Sequence, residues 1–485
     1  MNPMNLTRLF LLVAAAGFFL APVVALQAQS VSTGTAAGGG GAGDAPRNGA
    51  VLTAPNTTGT GPLFGVQSFF DGFAAKRAAL EEKGCTFAGT LTGDLFGNPV
   101  GGAKRGVVPD GLLELDLTLD FKKMTGWDGV FHASSLYPMG NSLSDGYTND
   151  LFGVNSIAGY NTFHLFELWY EQKACDDKVS LRIGQLAADT EFFVSNAGAN
   201  FLNATYGWPA VLAQNVPTPN YPYAAPGIRL RADPSEHWSF LSAVFAGNPA
   251  PDRIGDPNPS RRPGNQFDNS GAGFYFNRSD GVFNINELWY KLNGGKEDKG
   301  LPGTYKLGAW VHTGAFSNKR YDTSGMLLAS PASNGHPRAA GGNFGFYGIA
   351  DQAVWRDKSN EKQPKEIDLF LRAGNARADR SVFDYYADGG ATFAGFVRGR
   401  PNDLFGIAAG YGDIAYGLLG FVEGDGFNGP ARIPAGYEAN IELTYHAQLT
   451  SWCAVQPDIQ ILLHPGGSGA TPNALVLGCR LIVTF

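Results

Sequence analysis

After its first thirty residues or so the chain has no stretch near the ~20 consecutive apolar residues that a membrane-spanning helix needs. That part of the chain therefore offers no helical span. Charge is scarce too. Asp, Glu, Lys and Arg make up 16% of the 485 residues, against about a quarter in ordinary globular domains. The formal net charge is -7, which argues against a general nucleic-acid binder. The only cysteines are Cys85, Cys175, Cys453 and Cys479. They form no CxxC or Cys/His cluster of the kind that marks a metal site, and an exported chain would leave their pairing open. HExxH, GxSxG and phosphate-loop motifs are missing, and none of the seven histidines sits in a catalytic signature. Nothing calls for a cofactor. An enzyme, which needs a nucleophile, a base and an orienting group in mutual reach, is the weaker reading.

What is present is glycine, at 66 residues, and aromatics, at 12%. The N-terminus carries Arg8, an apolar run over 9–21 and small residues at Ala25 and Ala28. This is the layout of a secretory signal peptide over 1–28. Residues 29–62 are rich in Gly, Ala, Thr and Asn, and read as a flexible segment. Residues 63–84 hold an amphipathic helix, with Phe69, Phe70, Phe73, Ala74 and Leu80 on one side and Gly84 as its C-terminal stop. It is expected at the periplasmic end of the unit formed by residues 85–485, or plugged into that unit.

From 85 to 485 the apolar pattern has period two. Strands are expected at 89–95, 112–121, 129–137, 162–172, 178–186, 226–233, 237–246, 282–292, 304–313, 345–355, 366–374, 390–398, 402–410, 436–448, 453–463 and 474–485. That is an even number of strands. Short connectors such as 122–128, 173–177 and 449–452 alternate with long ones at 138–161, 187–225, 247–281, 314–344 and 411–435. An all-β transmembrane antiparallel barrel of about sixteen strands has this asymmetry, whereas a soluble secreted sandwich has no reason for it. The final segment fits a closing strand. Leu475, Leu477, Cys479, Leu481, Val483 and Phe485 share one face, and Arg480 lies on the other. The first face suits outer-membrane lipid, and the terminal Phe suits recognition by barrel assembly machinery.

Several stretches together resemble the carbohydrate-selective porins of the OprB type. They are FELWYEQK (166–173), LRIGQLAADTEFFVSN (181–196), PGIRLRADPSEHWSFLSAVFAGNP (226–249), NELWYKLN (286–293), KLGAWVHTG (306–314), YEANIELTYHAQLTSWCAVQPDIQILLHPGG (437–467) and NALVLGCRLIVTF (473–485). The resemblance runs from about residue 84 to the end. It implies a sixteen-stranded outer-membrane barrel of a Gram-negative bacterium that passes small neutral carbohydrates such as glucose. A general non-selective porin is the alternative. The Gly-rich segment before Pro62 and the four cysteines depart from the family's pattern. A homotrimer is allowed but not dictated.

Charge assigns the lumen. A charged side chain facing hydrocarbon at mid-depth costs about 2–4 kcal/mol, and acids somewhat less. Glu167 and Glu171 therefore face inward and take Trp169 with them, leaving Phe166, Leu168 and Tyr170 outside. By the same argument Glu287, Trp289 and Lys291 face in and Tyr290 faces out. Trp169 and Trp289 either meet sugar or seal against the N-terminal helix. Arg182, Arg229, Arg231, Lys306, Trp310, His312, Arg372, Glu438 and Glu442 also share inner phases. The connection 187–225 carries Asp189, Glu191, Phe193 and Trp208. Resemblance to general porins implies that it folds inward to the height of Arg182 and Arg229. The expected pore-lining or sugar-contacting set is Glu167, Trp169, Arg182, Glu191, Trp208, Arg229, Arg231, Glu287, Trp289, Trp310 and His312.

Overall fold

The structure is a computed structural model. It describes residues 72, 76–159, 161–249, 274, 276–328, 330–357, 359–360, 363–415 and 436–485. The expected signal peptide, the flexible segment and most of the helix expected over 63–84 lie outside these residues. Of that helix, 72 and 76–81 are described and helical.

Sixteen strands make one closed antiparallel barrel, each paired with its sequence neighbours and the first with the last. They are β1 (Cys85–Val100), β2 (Val107–Asp120), β3 (Gly129–Gly140), β4 (His164–Ala174), β5 (Val179–Leu186), β6 (Ala225–Ala232), β7 (Trp238–Ala246), β8 (Val282–Leu292), β9 (Gly303–Asp322), β10 (Pro337–Asp357), β11 (Lys365–Asn375), β12 (Phe383–Ala394), β13 (Leu404–Ile414), β14 (Tyr437–Gln448), β15 (Cys453–Leu463) and β16 (Ala474–Thr484). Closure is what the period-two pattern requires in lipid, where a free strand edge would leave amide groups without partners. No described helix is long and apolar enough to span a membrane.

Three expectations shift. The strand expected at 390–398 lies at Phe383–Ala394, because its Gly- and Ala-rich sequence gives no sharp start. The long loop expected at 314–344 shrinks to 323–336, because β9 and β10 run on through it. Strand there needs no lipid-facing side chains, so SNKRY and RAAGGN show no apolar alternation. Phe166 points inward instead of outward. The β3–β4 register slips between Ala133 and Ser135, so Phe166 and Glu167 together oppose Ser134. That bulge resets the phase. Phe166 packs with Leu112, Leu136 and Ile157, while Glu167 stays inside.

Elsewhere charge and burial agree. Leu307 is 70% exposed, Phe346 61% and Leu371 59%, whereas Glu167, Arg372 and Glu442 are each 0% exposed. Aromatics gather toward the short-turn end, where Trp127 Nε1 donates to Tyr170 Oη at 2.6 Å and Trp238 lies 4.9 Å from Tyr290. Such a belt marks a membrane boundary. At the seam, Asp94 opposes Arg480 and takes two hydrogen bonds from it, 2.8 and 2.7 Å long. Phe485 and Gly89 exchange backbone hydrogen bonds of 2.8 and 2.9 Å. Leu477, Cys479 and Leu481 face outward, and all four cysteines are free thiols.

The described end of the N-terminal helix rests on the short-turn side. Gly84 has φ +87, donates to Glu81 O, and accepts from Asp120 N at 2.7 Å. The connections 141–163 and 187–224, at the other end, turn into the lumen. The second brings its own apolar core. Phe192, Val211 and Leu212 pack with Phe245, Phe283, Ile285 and Phe383 from the wall. The barrel is therefore narrowed by protein and not left as an open tube.

Candidate functional site

The register of β4, β5 and β6 places Glu171 opposite Arg182, and Arg182 opposite Arg229. Directly opposed side chains on one face of a sheet lie within reach of each other. Arg182 donates to Glu171 Oε2 through Nε (3.2 Å) and Nη2 (2.9 Å). Arg229 donates to Glu171 Oε1 (3.1 Å) and to Ser180 Oγ (2.7 Å). Glu191, on the inserted segment 187–224, reaches the same place. It accepts from Arg229 Nε at 2.8 Å and lies 3.6 Å from Arg182 Nη1. Two guanidinium groups thus meet two carboxylates, one from the wall and one from the loop. Burial raises the pKa of Glu191, but the charges of Arg182 and Arg229 outweigh it and hold the carboxyl below its usual range. On the same segment, burial dominates at Asp189. Its carboxyl is pushed up to about 7 despite a hydrogen bond from Tyr221 N.

Trp169 sits buried beside this quartet, packed by a guanidinium and an imidazole. The Arg182 guanidinium lies 3.9 Å from its ring centroid, and His132 stacks on it at 4.8 Å. Glu167 is buried behind it, accepts from Ala187 N at 3.2 Å and lies 3.7 Å from His132 Nε2. Trp289 forms part of a second group. It donates to Glu287, and Lys306 and Arg231 lie 4.2 and 5.2 Å from its ring. Arg231 is paired with Asp233 at 2.8 Å. Glu287 also accepts from Phe193 N (2.6 Å) and Tyr347 Oη (2.7 Å), and Phe193 stacks on Tyr347 at 3.9 Å. Glu287 therefore fastens the loop to β8.

The remaining expected residues lie apart. Trp208 is inside the loop's own core, donating to Thr218 Oγ1 at 3.1 Å. Trp310 is buried with Phe283. His312 donates to Gly247 O (2.6 Å), just past the end of β7, and accepts from Gly314 N. The structure thus gathers Trp169, Arg182, Arg229 and Glu191, sets Arg231, Glu287 and Trp289 in the second group, and leaves Trp208, Trp310 and His312 in structural surroundings. Glu171 belongs to the quartet, and its inward parity was the available signal.

The opposite wall carries a group outside the expected sugar-contacting set, although Arg372, Glu438 and Glu442 were expected to face inward. Glu442 accepts from Leu202 N (2.6 Å) and Asn203 N (3.0 Å). Glu438 accepts from Leu151 N and Phe152 N, both at 2.8 Å. Arg372 pairs with Asp388 and donates to Phe193 O (2.9 Å) and Thr205 O (3.1 Å). Asp351 accepts from Ser195 Oγ at 2.5 Å and from Ala197 N at 3.4 Å. The bonds of Glu442, Arg372 and Asp351 hold the inserted segment across the lumen, and those of Glu438 hold the 141–163 connection. Among the described residues no cluster of His, Cys, Asp and Glu has metal-ligating geometry.

A wet, polar, narrowed barrel is a conduit, and three comparisons agree with that. The family model described as "Carbohydrate-selective porin, OprB family" matches residues 104–485. Porin B of Pseudomonas aeruginosa is 24% identical over 437 residues, covering 85% of this chain and 90% of that protein. The high-pH structure of Pseudomonas putida OprB aligns with a TM-score of 0.71 at 21% identity, covering 85% of this chain and 97% of that one, which establishes likeness of fold.

Proposed function

The chain belongs to the carbohydrate-selective porins of the OprB family, and from that premise we propose that sugar selection takes place at the quartet of Glu171, Arg182, Arg229 and Glu191. The protein is an outer-membrane β-barrel porin, and its relatives are channels. We read it likewise as a channel and not an enzyme, reaching the outer membrane by way of the signal peptide at 1–28.

One observation carries the assignment of the site. The inserted segment brings Glu191 to two arginines already presented by the wall. A hexose supplies hydroxyls that both donate and accept, which suits guanidinium donors beside carboxylate acceptors. The quartet has two charges of each sign, so a simple anion meets carboxylates and a simple cation meets guanidinium groups. A neutral polar solute meets neither penalty. Trp169 is buried against Arg182 and His132, so recognition runs through hydrogen bonds and not through ring stacking. Conduction needs binding weak enough to release, and a sugar here competes with ion pairs that Arg182 and Glu191 already make. Movement follows the concentration gradient and needs no cofactor.

Liposome swelling with glucose, maltose, an amino acid and a simple anion tests this. Glucose is expected to enter fastest. Equal rates for all four would leave a general porin.

A further inference from the structure

Behind the quartet the wall carries a buried row of side chains that its ion pairs leave out. His132, on β3, opposes Thr118 on β2 and Trp169 on β4. It stacks on Trp169, with ring centroids 4.8 Å apart and planes 23° from parallel. The Arg182 guanidinium lies 3.9 Å from the same indole. Nδ1 of His132 is 2.9 Å from Thr118 Oγ1. Nε2 is 3.7 Å from Asp116 Oδ1 and 3.7 Å from Glu167 Oε2, too far for a direct hydrogen bond to either. Among the described residues neither this Nε2 nor either oxygen of Asp116 has a hydrogen-bond partner. Yet His132 is 3% exposed and Asp116 7%.

A buried carboxylate without a donor is costly as an anion. A proton shared between Asp116 and His132 removes that unpaired charge, and it belongs to the pair and not to either residue. The surroundings are acidic. Glu114 stands two residues from Asp116 on β2 and acts on it through space, and Glu167 faces His132 from β4. Tyr221 of the inserted segment lies within the field of Glu114. Ala88 and Thr90 of β1, opposite Asp116 and Glu114, do not titrate. From β5, Arg182 acts on His132 through space. Wherever the shared proton sits, its arrival has one sign for Arg182. An imidazolium repels the guanidinium that packs on the same indole, and a neutral Asp116 removes a nearby negative charge. Either change loosens Arg182 from Trp169. Arg182 also pairs with Glu171 and Glu191, so the geometry of the quartet follows.

We propose that His132 is a positioning residue of the sugar site, setting the pose of Arg182 through Trp169, and that a proton shared with Asp116 makes sugar binding weaken as pH falls. The inference rests on the quartet being the place of sugar selection, and adds the regulation of that site. Glu191 keeps its charge through the neutral range because both arginines pair with it, so the loop carboxylate of the quartet does not supply the dependence. Asp189, on the same segment, does titrate there and serves as a control.

The test reads glucose block of single channels of the full-length protein in planar bilayers, at pH 8 and at pH 5. In the native channel the half-blocking concentration is expected to be roughly threefold higher at the lower pH. His132→Ala removes the stacked ring and is expected to weaken block at both values. His132→Phe returns a ring without a proton site. It is expected to recover the block seen at pH 8 and to lose the dependence on pH. Asp116→Asn is expected to lose that dependence too, and decides the matter if the His132→Phe protein does not fold. Asp189→Asn is expected to keep it. Equal block at the two pH values in the native channel overturns the inference. So does a native pH dependence in His132→Phe or Asp116→Asn, or native block in His132→Ala. Loss of the dependence in Asp189→Asn assigns it to the inserted segment and overturns the inference as well. If glucose blocks the native channel at neither pH, the sugar-channel reading itself falls.

Discussion

Glu171 and Glu442 occupy equivalent positions on opposite walls of the barrel. Both are buried carboxylates on the inner phase of a strand. Glu171 accepts from two guanidinium groups that border the lumen, whereas Glu442 accepts from two backbone amides of the inserted segment. The β4–β6 wall therefore pairs its charges between side chains of wall and loop, with Arg182 and Glu191 the partly exposed members. The β11–β14 wall uses its charges as fasteners. The selective side can have a fixed geometry because the other side holds the loop in place.

That division is tested most severely at Arg372. It is fully buried and ties Asp388 to two loop carbonyls. Arg372→Met strands Asp388 and is expected to cost about 3–5 kcal/mol. The readout is the temperature at which the folded, fast-migrating form on gels converts to the slow one. An unchanged temperature would mean that the far wall fastens nothing.

Glu442→Ala comes next. It leaves the amides of Leu202 and Asn203 without an acceptor, at about 1–3 kcal/mol each. Single-channel conductance is expected to rise and become noisier as the segment lifts. Arg229→Ala acts on the selective wall instead. It is expected to weaken glucose block roughly tenfold, enlarge conductance and shift reversal potentials toward cation preference, because Glu171 and Glu191 lose a partner. If block and conductance stayed the same, Arg229 would be wall and not aperture.

The smallest effect is one of pH. Burial raises Asp189, so its neutral form is favoured in the folded loop. The cost of ionising it is absent below the unfolded value near 4, grows as pH rises, and is complete above about 7. Glu191 has the opposite sign. Its pairing is intact at neutral pH and is lost only as pH falls below the ordinary carboxylate range. Channel noise is therefore expected to increase modestly between pH 5 and pH 8, and Asp189→Asn is expected to flatten that slope.

Parity made most of the fold legible. Wherever an acid or base interrupted an apolar alternation, its face followed, and the strand followed from the face. This worked for Glu287, Arg229 and Glu442. It failed at Phe166, because a bulge shifts the phase by one residue and leaves no mark in composition. It failed along 314–344, because strand beyond the lipid needs no apolar face. The quartet was partly legible, since Arg182, Arg229 and Glu191 were each singled out. What the sequence withheld was partnership. Trp208 and His312 have the chemistry of sugar contacts, yet one is packed inside the loop and the other supports a turn. Glu438 and Glu442 were visibly inward, but that they accept loop amides depends on contacts made hundreds of residues away in the chain.

The long β9–β10 hairpin has a consequence of another kind. Its strands have 20 and 21 residues, against 11 in β8. Beyond the Asn343–His312 pair β10 runs on for residues 337–342, which at about 3.3 Å per residue carries the hairpin roughly 20 Å further. Its tip keeps a defined shape, because Asp322 gathers the amides of Ser324, Met326 and Asn334 and the hydroxyl of Ser333. An antibody raised to that tip would recognise a folded epitope, and a label inserted there would report from living cells without entering the pore.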